Sequence, residues 1–283
     1  MKLVRFGAVG HEKPGIIDGH GHLRSLEKEV DDWGGASLSP ATLARLKALN
    51  PETLPLVGGK PRLGCPVTGV GKFIAIGLNY SDHAAESNMT PPTEPIVFMK
   101  ATSCLVGAHD EVILPRGSHK SDWEVELGVV IGSRLSYGSL EEAWEAIAGF
   151  SVVNDLSERE FQLERGPQWD KGKGCDTFGP VGPWLVTKDE VSDVHQLSMW
   201  LDVNGHRRQT GSTSKMIFNV PTLVSYVSQF MTLLPGDIIT TGTPPGVGMG
   251  LKPPQYLAPG DVITLGIEGL GEQRQEVSAY RPT

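Results

Sequence analysis

The sequence has no cluster of basic residues, no apolar run near the roughly 18 residues that a membrane-spanning helix requires, and very little cysteine. Its three cysteines, Cys65, Cys104 and Cys175, are odd in number, lie far apart and form no Cys-x-x-Cys pair. Neither a disulfide framework nor a zinc knuckle is expected from such spacing. Lysine and arginine number 25 against 33 aspartates and glutamates, a formal net charge of −8 with a sequence pI near 5.5. Nucleic acid and anionic membranes are poor partners for that surface. The opening Met-Lys-Leu-Val-Arg-Phe-Gly introduces charge before the apolar core of a signal peptide could form. The expectation is a soluble protein of a reducing cytoplasm.

What the sequence has in excess is glycine and proline. There are 35 glycines and 21 prolines in 283 residues, about a fifth of the chain against an ordinary share of roughly 12%. They are scattered among well-patterned apolar segments, which excludes collagen and disorder and favours a turn-rich, strand-rich globular protein.

Residues 1–70 read as a small N-terminal domain: short alternating pieces such as Leu3-Val4-Arg5-Phe6, then a helix announced by Ser39-Pro40 and carried by Leu43, Leu46 and Leu49. Residues 71–283 form the main domain. Its strand-like runs are Phe73 to Gly77, Ile96 to Met99, Glu124 to Gly132, Phe150 to Asn154, Trp200 to Val203, Asp237 to Thr241 and Val262 to Ile267. Two helices interrupt them. Ser139-Leu-Glu-Glu142 announces one with a capping box, and Pro221 opens the other, with Leu223, Val227 and Phe230 on one side. Val203-Asn204-Gly205-His206 predicts a type I′ hairpin. Many strands without regular strand-helix alternation argue against doubly wound and TIM-barrel folds. The fold class is mixed β (α+β), with a β-dominated main domain and a small α/β cap.

The chemistry-bearing residues begin in Asp122-Trp-Glu124-Val-Glu126-Leu, where acids alternate with apolar residues at period two. Glu124 and Glu126 project from one face of a strand, and side-by-side carboxylates need a compensating cation or water. A hard divalent ion meets the first need and an exposed acidic edge the second. The run Phe150 to Asn154 ends in Asp155, an acid at the end of a buried strand, which is costly unless paired. Asp155 can be a third ligand, with Arg159 and Gln162 on the following turn directed at an anionic substrate. Arg159 can equally pair with Asp155 on a helix surface.

His83 and Glu86, three apart on a helical turn, can share a proton so that the carboxylate raises the basicity of the imidazole, or can decorate a surface helix. The polar, proline-rich stretch after them suits a lid. Lys173 lies between glycines, where backbone and ammonium can approach a ligand closely, although the spacing is not that of a phosphate loop. Gly242-Thr243-Pro-Pro-Gly-Val-Gly-Met-Gly250 reads as a tight loop offering Thr243 and backbone amides.

Together and in order, these pieces resemble the fumarylacetoacetate hydrolase family over roughly residues 70–280. The quoted match is Gly77-Leu-Asn-Tyr80 with His83 and Glu86, Glu124-x-Glu126, Asp155 with Arg159 and Gln162, Gly172-Lys173, and Gly242-Thr243-Pro244 with Gly246-Val-Gly248. The N-terminal cap is similar to that of the bacterial acylpyruvase-like branch, which includes hydrolases of 2,4-diketo-3-deoxy sugar acids. The resemblance implies a mixed β-sandwich roll, a homodimer, and a Mg²⁺ or Mn²⁺ site, with Ca²⁺ as a further option. It implies Glu124, Glu126 and Asp155 as metal ligands, His83 with Glu86 as a water-activating dyad, and Lys173 in the substrate site as a second positive charge beside the developing enolate. Arg159, Gln162 and Thr243 line the substrate site. The implied reaction is hydrolysis of a carbon–carbon bond in a 2,4-diketo acid to pyruvate and a second carboxylic acid. The rivals are oxaloacetate decarboxylation, keto-acid isomerisation or hydration, and non-catalytic binding of keto acids or divalent ions.

Overall fold

A computed structural model describes residues 1–82, 90–166 and 168–282. In chain order its strands are β1 (Lys2–Phe6), β2 (Lys13–Ile17), β3 (Leu23–Ser25), β4 (Phe73–Gly77), β5 (Ile96–Lys100), β6 (Leu105–Gly107), β7 (Val112–Ile113), β8 (Ser121–Asp122) and β9 (Val125–Ile131). They continue with β10 (Ile147–Asn154), β11 (Ser157–Glu158), β12 (Gly179–Thr187), β13 (Ser198–Val203), β14 (His206–Ser212), β15 (Ile238–Thr240), β16 (Val262–Ile267) and β17 (Gly271–Ser278). Ten of them form one sheet in the order β3-β2-β1-β12-β10-β9-β15-β4-β5, with β6 alongside β12. Five form a second sheet, β14-β13-β16-β17-β7, and β8 pairs with β11. Mostly antiparallel pairing fits the mixed β class.

The large sheet is covered on both faces, and β9 shows how the sequence arranges this. Val125, Leu127, Val129 and Ile131 point into a core shared with Leu201, Ile263 and Leu265 of the second sheet. Val130, of opposite parity, points into another core with Val153, Ile238 and the N-terminal residues Leu3, Ile16, Trp33 and Leu38. The residues before 70 therefore share both a sheet and a core with the rest of the chain, since β1 also pairs with β12.

The Asn204-Gly205 hairpin forms with φ of 53° and 75° at its two central residues, as a type I′ turn requires. The helix Leu140–Glu145 carries the expected capping box between Ser139 and Glu142. The second helix, Val220–Ser228, starts one residue before Pro221 because Asn219 caps it, and it stops before Phe230. Leu223 and Val227 are buried while Phe230 is exposed, so that part of the expected apolar side is absent.

Strand β12 escaped the sequence reading, as its Gly179-Pro-Val-Gly-Pro-Trp start looks like a turn. Its register against β10 shifts between Phe150 and Val152. There the side chain of Gln273, from the second sheet, donates to the carbonyls of Val152 (2.7 Å) and Gly182 (3.1 Å). A buried glutamine so supplies the donors that a proline-bearing strand cannot. Among the described residues no helix is long and apolar enough to cross a membrane.

Candidate active site

The register of β9 and β10 assembles the acids. Val153 lies opposite Glu126 and Asn154 opposite Val125, and the ladder continues one step further as the Asp155 amide donates to the Glu124 carbonyl (2.9 Å). Glu124 and Glu126 are two residues apart, and Asp155 is two beyond Val153, so all three share one face of the sheet. One oxygen from each lies within 4.8 Å of the others, and all three residues are buried.

Three cations are buried around them. Lys173 ends the short helix Asp170–Lys173, and its Nζ lies 2.8 Å from both Glu124 Oε2 and Asp155 Oδ2. Lys100, at the end of β5, brings Nζ 2.6 Å from Asp155 Oδ1. Arg159 opens the helix Arg159–Leu163, with Nη2 2.8 Å from Asp122 Oδ2 and 2.7 Å from Glu124 Oε1. Its Nη1 donates to Gln162 Oε1 (3.1 Å). Arg159 thus pairs with Asp122 and Glu124 and not with Asp155.

Lys173 reaches the carboxylates because Gly172 lets its helix touch the preceding one. A Cβ at Gly172 would stand 2.6 Å from Gln162 Cβ and closer still to the Glu158 carbonyl. Gly172→Ala is expected to lower stability by about 1–3 kcal/mol through overpacking, together with a loss of activity as Lys173 is displaced. Thermal unfolding checks this, and an unchanged melting temperature would show that the two helices have room to spare.

Burial opposes ionisation of Glu124, but the charges of Lys173 and Arg159 outweigh it and hold its carboxyl at about 2. Glu126 has no such partner. Burial, then the charges of Asp155 and Glu124, push its carboxyl well above the usual range. Burial also opposes the charge on Lys173, yet Asp155 and Glu124 raise its pKa, so it is an ammonium.

The residues present fit a hard divalent cation. The donors are all carboxylate oxygens. Glu126 Oε2 accepts from Thr240 Oγ1 (2.5 Å) and the Gly242 amide (2.8 Å), while Oε1 takes no hydrogen bond among the described residues. Asp155 Oδ1 is buried and makes no hydrogen bond, with the Lys100 ammonium 2.6 Å away as its counter-charge. A bound cation would give that oxygen a ligand bond and would relieve the carboxyl whose pKa is raised.

Beside the acids lies a cavity of about 340 Å³. Glu124, Glu126, Arg159, Gln162, Lys173 and Thr243 contribute its polar side. The Thr243 hydroxyl is already engaged, donating to the Val125 carbonyl (2.9 Å) and accepting from Gln209 (2.8 Å). The expected free amides of the 242–250 loop are engaged as well: Gly242 bonds Glu126, and Gly248 and Met249 bond Asp122 (2.6 and 3.0 Å). Through these three amides the loop holds Glu126 and Asp122 in place. His83 and Glu86 lie outside the described residues.

Two residues carry more than the sequence reading gave them. Asp122 was grouped with the acids of the strand face, yet it sits in β8 as the joint between Arg159 and the 242–250 loop. Lys100 went unnoticed, although a lysine closing the apolar run Ile96-Val-Phe-Met is a visible signal of a buried counter-charge.

Residues 72–278 match the family described as fumarylacetoacetate (FAA) hydrolase C-terminal. A protein of Burkholderia multivorans that carries only a general, provisional hydrolase name is 60% identical over 99% of this chain and 100% of its own. The crystal structure of 2-hydroxyhepta-2,4-diene-1,7-dioate isomerase from Mycobacterium marinum superposes with a TM-score of 0.75 at 30% identity, covering 100% of both chains. Maleylpyruvate hydrolase from Sphingobium sp. SYK-6, solved with manganese(II) and pyruvate, gives a TM-score of 0.80 at 28% identity, over 99% of this chain and 100% of the other.

Proposed function

The chain belongs to the fumarylacetoacetate hydrolase family, and on that premise we propose that it is a divalent-metal-dependent hydrolase cutting the C3–C4 bond of a 2,4-diketo acid. The substrate is an acylpyruvate or a 2,4-diketo-3-deoxy sugar acid such as 2,4-diketo-3-deoxy-L-rhamnonate, and the products are pyruvate and a second carboxylic acid. The observation that carries this reading is the convergence of Glu124, Glu126 and Asp155, two of which line the cavity together with Lys173 and Arg159. In that cluster four carboxylates, counting Asp122, face the three cations Lys100, Arg159 and Lys173. With every carboxyl ionised there is one negative charge in surplus. A dication turns this into one positive charge, which a single substrate carboxylate balances.

Held by Glu124, Glu126 and Asp155, Mg²⁺ or Mn²⁺ would supply Lewis-acid polarisation of the keto acid's oxygens. The chain's own groups do the rest. His83, oriented by Glu86, takes a proton from water, whose oxygen bonds to C4. The C3–C4 bond breaks, its electron pair moves to C3 as the enolate of pyruvate, and a proton delivered to C3 completes the product. The Lys173 ammonium faces the oxygen on which that charge develops, and Arg159 with Gln162 orients the substrate.

Isomerisation of a dienoate and decarboxylation of oxaloacetate use a similar enolate without attacking water. The name of the Mycobacterium marinum structure favours keeping the isomerase as the second reading. A panel of acylpyruvates, a diketo-deoxy sugar acid, oxaloacetate and a 2-hydroxydienoate, assayed with Mg²⁺, separates them. Release of pyruvate from the diketo acids is the expected result; isomerisation or decarboxylation without diketo-acid cleavage would overturn it, and no turnover of any substrate would favour a binding protein. The same reading carries a homodimer, which light scattering tests, and a reducing cytoplasm, in keeping with three free thiols.

A further inference from the structure

The cavity wall away from the acids is apolar, formed by Ile76, Leu78, Phe98, Leu163, Trp169 and Met249. Phe98 and Trp169 meet edge to face, with ring centroids 5.3 Å apart and planes at 68°. Trp169 can lie there because Gly77 has no side chain, since a Cβ would come within 2.8 Å of the indole. Lys173 Nζ is 5.3 Å from the centre of the Phe98 ring, so the aromatic corner adjoins the charged wall.

Positive charge in the cavity is already committed. Arg159 and Lys173 are the cations that line it among the described residues, and both are paired with carboxylates. Arg165, just beyond Leu163, pairs with Glu160 (2.6 Å) and lies over the Phe161 ring (4.2 Å).

We propose that the site selects keto acids with a single carboxylate, whose tail beyond C4 is uncharged and packs against the Phe98–Trp169 corner. This rests on the keto-acid reading above. A second carboxylate would lose its water against apolar side chains, and the cations lining the cavity among the described residues are already paired. An apolar tail instead gains burial against two aromatic rings.

The test uses the full chain with Mg²⁺ and isothermal titration of three probes: pyruvate, 2-oxohexanoate and 2-oxoadipate. The last two have the same number of carbons and differ in ending with a methyl or a carboxylate. The expected result is that 2-oxohexanoate binds at least about tenfold more tightly than 2-oxoadipate. Trp169→Ala should weaken 2-oxohexanoate more than pyruvate. Met249→Lys, at the exposed rim of the wall, should shift the preference toward 2-oxoadipate, and it serves if the Trp169 variant does not fold. Equal affinities, or tighter binding of 2-oxoadipate by the parent protein, overturn the proposal while leaving the keto-acid reading intact. If none of the three probes binds, the keto-acid reading itself falls and this proposal with it.

Discussion

Lys173→Met is expected to destabilise the protein by about 3–5 kcal/mol, the usual cost of removing one partner from a buried ion pair. Methionine keeps the volume, so what is lost is the charge. Lys173 Nζ bridges Glu124 Oε2 and Asp155 Oδ2, each at 2.8 Å. Both carboxylates would then share a buried face with Glu126, with only Arg159 and Lys100 to offset them. Urea unfolding measures the loss directly. Mg²⁺ should recover part of it, because a dication replaces the missing charge, while diketo-acid cleavage should stay depressed by at least about 10² for want of the ammonium beside the developing enolate. A variant as stable as its parent in metal-free buffer would show that Lys173 does not hold the acids together.

The parts of this site that can be read in the sequence are those that follow from one strand. Glu124 and Glu126 share a face because strand side chains repeat every two residues, and the apolar residues between them mark the opposite face as core; burial of the acid-bearing face as well is not written in that alternation. Asp155 is visible as an acid terminating an apolar run, but its position opposite Glu124 is a fact of register between β9 and β10, and register is set by whole-sheet packing. The same limit hides Lys100 and the role of Asp122, whose partners are far away in the chain: Lys100 meets Asp155, and Asp122 meets Arg159, Gly248 and Met249. Composition misled where it usually signals turns. In β12 the prolines and glycines sit inside a central strand because Gln273 supplies donors at the irregular stretch of the ladder. In the 242–250 loop the glycines look like a ligand cradle, but the amides of Gly242 and Gly248 hold carboxylates of the protein itself.

Glu126→Gln is expected to have opposite effects on the metal-free and metal-loaded protein. In the metal-free fold the Glu126 carboxyl is pushed well above its ordinary value of 4.5 by burial and by the charges of Asp155 and Glu124. A raised folded pKa means that the group's contribution to stability is complete below that ordinary value and is lost as pH rises through the folded one. Near pH 8, where the unfolded chain holds this carboxyl ionised, the raised pKa of the folded state therefore counts against the fold. Glutamine is neutral and of the same shape, and its Oε1 can still accept from Thr240 and Gly242 as Glu126 Oε2 does. In EDTA-treated protein at pH 8 the variant should be at least as stable as the parent, and more stable by about 1 kcal/mol if repulsion is the dominant loss. With Mg²⁺ or Mn²⁺ the order reverses, because a ligand that binds only the folded state stabilises it by mass action and the variant lacks one of three donors. Cleavage of a diketo acid should fall by at least about 10², since even groups that only support a metal ligand are worth 10- to 100-fold. Melting curves of both proteins, with EDTA and with Mg²⁺, decide the matter in four measurements. If the variant gained as much from Mg²⁺ as its parent, Glu126 would not be a ligand. If the variant lost stability in EDTA, the hydrogen bonds from Thr240 and Gly242 to the Glu126 carboxylate would outweigh the repulsion from Glu124 and Asp155.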